Sequence, residues 1–571
     1  MKKILSYLKQ YKKECVMAPL FKMLEATFEL IVPLVIANMI DNGTKDFSVA
    51  VKCFCLLLGL GVVGLIASVT AQYFAAKAAT GFSKELRHDL FGHILKFNFK
   101  QIDESGTSTL ITRLTSDVNT LQNGVNMFLR LFLRSPFIVI GAMVMAFSID
   151  TKCALIFVAV IAVLGLCLLF IMKTNIPLLK KAQGGLDVIT RITRESLFGL
   201  KVIRAFTTEN KQIDKFGKTN DEYTYMALKA GRVSGLLNPL TYVVINLGIA
   251  TLVIMGKGRV DAGVLTTGSV VALYNYMSQI LLEMIKFANL IITINKAIAG
   301  GARVSEVFMV DTNESVEDLP EHSNDYLIEF DDVSFKYNEG ADDAISNISF
   351  GIKKGETFGI IGGTGAGKTT VANLLAGYYK PLLGDVYIDG KNLKSISNKT
   401  INDMVGMCFQ KAVLFEGTIR DNLKWGNKEA TDEEINEAIR ISECSKVVEE
   451  KGGLDAAVSI EGKNFSGGQR QRLAIARALV RHPEILVFDD SFSALDYLTD
   501  LRIRTNIKKL DFAPTVVIIA QRCSSVLDAD KIMVLDDGKI VGLGSHDDLL
   551  TTCEVYREIF NSQQYEKGGD K

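Results

Sequence analysis

The chain has no excess of charge of either sign: lysine plus arginine and aspartate plus glutamate number 64 each in 571 residues. That balance gives no electrostatic handle for a nucleic-acid backbone, so no nucleic acid is expected among its partners. Cysteine is equally uninformative as a ligand. The nine cysteines include no pair at zinc-ligand spacing, and Cys53 and Cys55 sit inside an apolar run, so they read as reduced residues packing as small hydrophobes. No cleavage site of small residues follows the first apolar stretch, which argues against a removable signal peptide. Met1 to Lys13 carries five lysines among Ile4, Leu5 and Leu8, and reads instead as a basic amphipathic helix on a membrane's inner face.

What is abundant is apolar sequence, and it is unevenly spread. Hydrophobic residues make up 48% of the chain, mean hydropathy is +0.22, and the excess lies before residue 300. Six windows stand out, near 15–40, 52–80, 128–148, 153–173, 237–257 and 268–294. Each is long enough for the hydrocarbon core, which is about 30 Å thick and takes roughly 20 residues. The connections after the second and fourth windows are long and basic, whereas those after the first, third and fifth are short with few cations. The positive-inside rule then puts the long loops and both termini in the cytoplasm, with the chain in the plasma (inner) membrane. Helical periodicity around Leu110–Leu114 extends the spans past the bilayer, with tips at Phe99–Ser105 and Gly199–Phe206. Glu25, Glu29, Glu283 and Lys286 fall inside windows. Ionisable groups at such depth either line a substrate path or pair with neighbouring helices, and both readings stay open here.

The second half changes character. A polar, acidic stretch, 301–326, reads as a linker, and 327–571 as a soluble α/β domain with a parallel sheet built from the apolar runs Phe358–Ile361, Ile485–Phe488 and Val516–Ile519. At its heart Gly362, Gly363, Thr364, Gly365, Ala366, Gly367, Lys368, Thr369 and Thr370 follow a β-branched strand and open a helix. This is the G-x-x-x-x-G-K-[ST] phosphate loop in the setting it requires. Glycines let backbone N–H groups close on the β- and γ-phosphates, Lys368 adds a point charge, and the Thr369 hydroxyl suits a magnesium ion. The chain is expected to bind ATP with Mg2+.

Other residues join this centre. Tyr337, 25 residues before Gly362, offers an aromatic face to adenine. Gln410 suits magnesium or an attacking water, and Asp489 ends a buried strand as the second magnesium ligand. Ser466, Gly467, Gly468 and Gln469 precede a helical run and form a second phosphate-ready helix start.

Together with Phe465 and Ser493-Ala494-Leu495-Asp496, these motifs resemble the ATPase domain of ABC transporters, and six spans ahead of it resemble an ABC exporter half-transporter. The fold implied is an α-helical transmembrane bundle (1–300) plus an α/β P-loop ATPase domain. The resemblance further implies a dimer in which each ATP lies between one chain's phosphate loop and the other's Ser466–Gln469 signature, with the two tips as coupling helices. Two positions depart from the family's pattern. Asp490 stands where the catalytic glutamate is expected, and Gln521 where the switch histidine is expected. An aspartate is one methylene short for the water it must reach, and glutamine does not titrate as histidine does. The pair is similar to the degenerate-site subunit of a heterodimeric bacterial multidrug-type exporter, which implies amphiphilic or drug-like substrates. A slow homodimeric exporter and an ATP-binding regulatory or channel-like protein are the alternative readings.

Overall fold

The computed structural model describes residues 2–568 apart from 313–316, 318, 323–324, 339 and 341, and of Lys2, Leu237 and 564–568 only the backbone. It divides into two units: Met1–Lys96 with Ser105–Asp311, and Phe97–Glu104 with Thr312–Lys571.

Among the described residues, the first unit has six helical stretches long and apolar enough to cross a membrane: Lys3–Gly43, Phe47–Ile94, Thr107–Ile149, Thr151–Phe198, Glu209–Asp261 and Thr267–Met309. Each contains one of the six apolar windows. The Phe47–Ile94 helix has 48 residues. At about 1.5 Å per residue that is about 72 Å, more than twice the hydrocarbon thickness, so long polar extensions project from the bilayer. Packing follows side-chain size. Ala18, Ala75 and Ala78 are fully buried in one cluster, where small residues let helix backbones approach closely. Ala26, Leu30, Ile138, Ala142, Phe157, Leu252, Tyr276 and Met277 form the larger core.

The last span continues past Gly300, where the sequence reads as linker. Residues 301–309 are helical because Val304 and Val307 are buried and Arg303 pairs with Asp117. Asp117 also accepts from Arg113 at 2.9 Å, at the end of a π-helical turn, Arg113–Asp117. The basic N-terminus is helical as expected at Lys2–Ser6, tightens to 3-10 at Tyr7–Tyr11, and then runs on as Lys12–Gly43.

The second unit is α/β. Its strands are β1 (Ile328–Phe335), β2 (Ile345–Ile352), β3 (Thr357–Gly362), β4 (Leu383–Ile388), β5 (Lys391–Asn392), β6 (Val405–Cys408), β7 (Gly417–Thr418), β8 (Ala457–Val458), β9 (Ile485–Asp489), β10 (Thr515–Ala520), β11 (Lys531–Asp536) and β12 (Lys539–Gly544). Six of them form a sheet in the order β12-β11-β3-β10-β9-β6, parallel from β11 to β6. β3, β9 and β10 are buried at every position, which is why they read as short continuous apolar runs. A smaller antiparallel sheet, β2-β1-β4-β5, carries the alternating strands. The tip helix Phe99–Ser105 packs within this unit through Phe99, whose ring stacks 4.0 Å from Tyr378, and through Asp103, which accepts from the Tyr379 hydroxyl.

Candidate nucleotide site

Parallel register sets the site. Ala520 lies level with Ile361, and Ile519 with Asp489, so β3, β10 and β9 release their chains side by side at the carboxyl end of the sheet. Ligands of such sheets bind outside the carboxyl ends of the strands. β3 delivers the phosphate loop, β9 delivers Asp489 and Asp490, and β10 delivers Gln521.

The loop needs its glycines for two reasons. A Cβ on Gly362 would collide with the Leu535 carbonyl, while Gly365 and Gly367 take φ of +86° and +94°. Gly363, Thr364 and Gly365 are exposed, and no side chain caps the Lys368–Leu375 helix, so its first-turn N–H groups are available to a phosphate. Lys368 Nζ donates to the carbonyls of Gly362 (2.9 Å) and Gly363 (2.7 Å). Burial holds its pKa below the ordinary lysine value, opposed by the carboxylates of Asp490 and Asp489.

Thr369 Oγ1 donates to Asp489 Oδ1 at 3.1 Å. Asp489 is 3% exposed, and burial raises its carboxyl above the usual range although the Thr369 hydroxyl works against that. A hydroxyl beside a buried carboxylate is a hard oxygen pair, the donor chemistry that fits magnesium. Gln410 is tied to the neighbouring residue: its Nε2 donates to Asp490 Oδ2 at 3.1 Å. Asp490 takes φ of +48° and its N–H donates to the Ile519 carbonyl at 2.9 Å, which fastens the turn after β9 to β10. Tyr337 is 38% exposed, and its hydroxyl lies 3.2 Å from Thr370 Oγ1, beside the loop helix. Gln521 is exposed at the end of β10.

The structure thus joins Thr369 with Asp489, Gln410 with Asp490, and Tyr337 with Thr370. The signature stands apart. Ser466 caps the Gly467–Leu479 helix in a capping box with Gln469, Oγ accepting from Gln469 N at 3.3 Å and Gln469 Oε1 accepting from Ser466 N at 2.9 Å. Gly467 has open space where a Cβ would stand, and Gly468 lies against the Ala494 carbonyl.

The sequence matches the ABC transporter transmembrane region over residues 15–284 and the ABC transporter family over residues 345–493. The ABC transporter ATP-binding protein YfiB of Bacillus subtilis is 32% identical over the full length of both chains. The chain belongs to the ABC transporter family. It is a half-transporter, a membrane domain of the exporter type fused to an ABC-type ATPase coupled to transport. Protein MT1311 of Mycobacterium tuberculosis is 31% identical over 98% of this chain and 97% of its own. YfiC, also of Bacillus subtilis, is 29% identical over 99% and 94%. Among solved structures, a bacterial Atm1-family ABC exporter with ATP bound has the same fold, with a TM-score of 0.79 at 24% identity over 97% and 98% of the two chains.

Reasoning from sequence missed two cations of the charge network inside the membrane domain, Arg134 and Lys22. Arg134 Nη2 donates to both carboxylate oxygens of Glu29 at 2.8 Å, and Nη1 donates to Glu283 Oε1 at 3.0 Å. Lys22 pairs with Glu25 at 2.5 Å, and Lys286 with Glu283 at 2.8 Å. The signal available was an arginine opening an apolar span, a costly position that demands a partner.

Proposed function

We propose that this chain is one half of a heterodimeric exporter that moves small amphiphilic substrates out of the cytoplasm by alternating access. Its own phosphate loop binds ATP but hydrolyses it poorly, and its signature completes the partner chain's competent site. The carrying observation is the pair at the carboxyl ends of β9 and β10: a short Asp490 carboxylate held by Gln410, and a non-titrating Gln521 after β10. A base misplaced by about 1 Å can cost roughly 100-fold in rate, about 2.7 kcal/mol. The signature, in contrast, keeps its serine cap, its glycines and a complete capping box.

Further features support a second chain. The tip around Leu200–Ala205 leaves Phe198 86% and Phe206 74% exposed, an apolar end suited to a groove on another molecule. One Bacillus subtilis strain also holds two relatives of this chain, YfiB and YfiC. The basic loops favour the ATPase domain and both termini on the cytoplasmic side of the plasma membrane. When bound, magnesium would supply charge neutralisation on the phosphates, held by Thr369 and Asp489, with Gln410 near it. Lys368 and the loop amides bind and orient the phosphates, Tyr337 stacks on the adenine, and Gln521 donates to the γ-phosphate.

In the heterodimer, Asp490→Asn keeps most ATP turnover, whereas Ser466→Arg nearly abolishes it, because a bulky cation blocks the signature facing the partner's ATP. Steady-state ATPase of the two complexes at matched expression should differ at least about tenfold, or roughly 1.4 kcal/mol of barrier. Equal damage by both substitutions would mean an ordinary pair of working sites.

A further inference from the structure

The last helix, Glu554–Gly568, lies far along the chain from the phosphate loop, yet it reaches the loop that follows β10. It is fastened to the domain by Tyr556, which is fully buried, with its hydroxyl 2.7 Å from His546 Nδ1. Gln563 follows Tyr556 by seven residues, two helical turns, and so lies on the same face. There its side-chain amide bridges two peptide groups: Nε2 donates to the Gln521 carbonyl at 2.8 Å, and Oε1 accepts from the Cys523 N–H at 2.8 Å.

Those two peptide groups flank Arg522, the residue that follows Gln521 out of β10. Gln521 directly follows Ala520, whose register partner Ile361 directly precedes Gly362 of the phosphate loop. The Gln521 side chain is exposed, so no core packing orients it. Its direction is set by the backbone, and the backbone is held from the C-terminal helix. We propose that Gln563 is a positioning residue for the switch, latching the Gln521 peptide so that the Gln521 side-chain amide faces the γ-phosphate of bound ATP. This rests on the reading of Gln521 as the switch position. Glutamine suits the latch because it offers one donor and one acceptor to a carbonyl and an N–H. A glutamate of the same size keeps the acceptor and turns a second oxygen toward the Gln521 carbonyl.

The test uses the full-length chain in lipid nanodiscs with magnesium, measuring equilibrium affinity for ATP and for ADP in wild type, Gln521→Ala, Gln563→Glu and Gln563→Ala. ADP has no γ-phosphate, so loss of positioning weakens ATP alone, whereas damage to the fold weakens both. Gln521→Ala and Gln563→Glu should each lower the ATP-to-ADP affinity ratio about tenfold, equivalent to about 1.4 kcal/mol. Gln563→Ala should lower it less, and melting temperatures should hold. If Gln521→Ala lowers the ratio and Gln563→Glu does not, the latch is refuted while the switch assignment stands. If Gln521→Ala also leaves the ratio unchanged, the switch assignment falls and the latch with it. Parallel loss of ATP and ADP affinity in both Gln563 variants, with lower melting temperatures, would make Gln563 structural and overturn the proposal.

Discussion

Arg134→Met tests whether the charges inside the membrane domain hold its helices together. The arginine side chain is 8% exposed and serves Glu29 and Glu283, with Glu25 at 3.9 Å. Methionine keeps the length and removes the charge, leaving three carboxylates with two cations, Lys22 and Lys286. Removing one partner of a buried pair costs about 3–5 kcal/mol, because the other charge stays buried without compensation. Glu283 would retain Lys286 at 2.8 Å and the Ser135 hydroxyl at 2.7 Å, and Glu29 is 41% exposed, so the low end, about 3 kcal/mol, applies. At about 2–4 °C per kcal/mol, the melting temperature in nanodiscs should fall by about 6–12 °C at a fixed scan rate. Adding Glu29→Gln and Glu283→Gln should recover most of that loss, since the stranded charges are then gone. A shift under about 2 °C, or no recovery, would refute the argument that this cluster is a buried, mutually compensating network.

Two further predictions concern the nucleotide site. Lys368→Ala should weaken ATP binding to the full-length chain, because it removes the cation from the β- and γ-phosphates; unchanged affinity in a direct binding assay would count against the phosphate-loop assignment. Burial raises the Asp489 carboxyl above its ordinary value, so its charged form is the costly one in the folded protein. The sign follows: that charge destabilises above the folded-state pKa, and the cost is relieved as pH falls through it. Asp489→Asn should therefore raise the neutral-pH melting temperature of protein free of nucleotide and magnesium, while abolishing the strengthening of ATP binding by magnesium. A lower melting temperature would show that the carboxylate is stabilising there.

Local pattern carried much of this molecule. Run length located the spans, because a helix in lipid must be apolar over the hydrocarbon thickness. Continuous apolar runs located β3, β9 and β10, because strands buried on both faces have no polar side to alternate. The phosphate loop was legible because its chemistry lies within nine consecutive residues. What stayed hidden depends on pairings across long separations. Arg303 meets Asp117 across 186 residues and keeps 301–309 helical, where composition alone reads as linker. Arg134 meets Glu29 and Glu283 across 105 and 149 residues, and Gln563 meets Gln521 across 42. Nothing in the residues near Gln563 marks it, since a half-buried helical glutamine is chemically ordinary until the fold brings the β10 loop to it.

The degenerate-site reading stands on Asp490 and Gln521, and steady-state ATPase of the purified full-length chain alone, with and without Asp490→Asn, tests it most directly. A short aspartate held by Gln410 is a poor base, so turnover by the single chain should lie far below the roughly 10 s⁻¹ typical of enzymes. Asp490→Asn should change that residual rate less than about threefold, or about 0.6 kcal/mol. Turnover near 10 s⁻¹ that collapses at least 100-fold on Asp490→Asn would contradict the account, because Asp490 would then be a working base in a self-sufficient transporter.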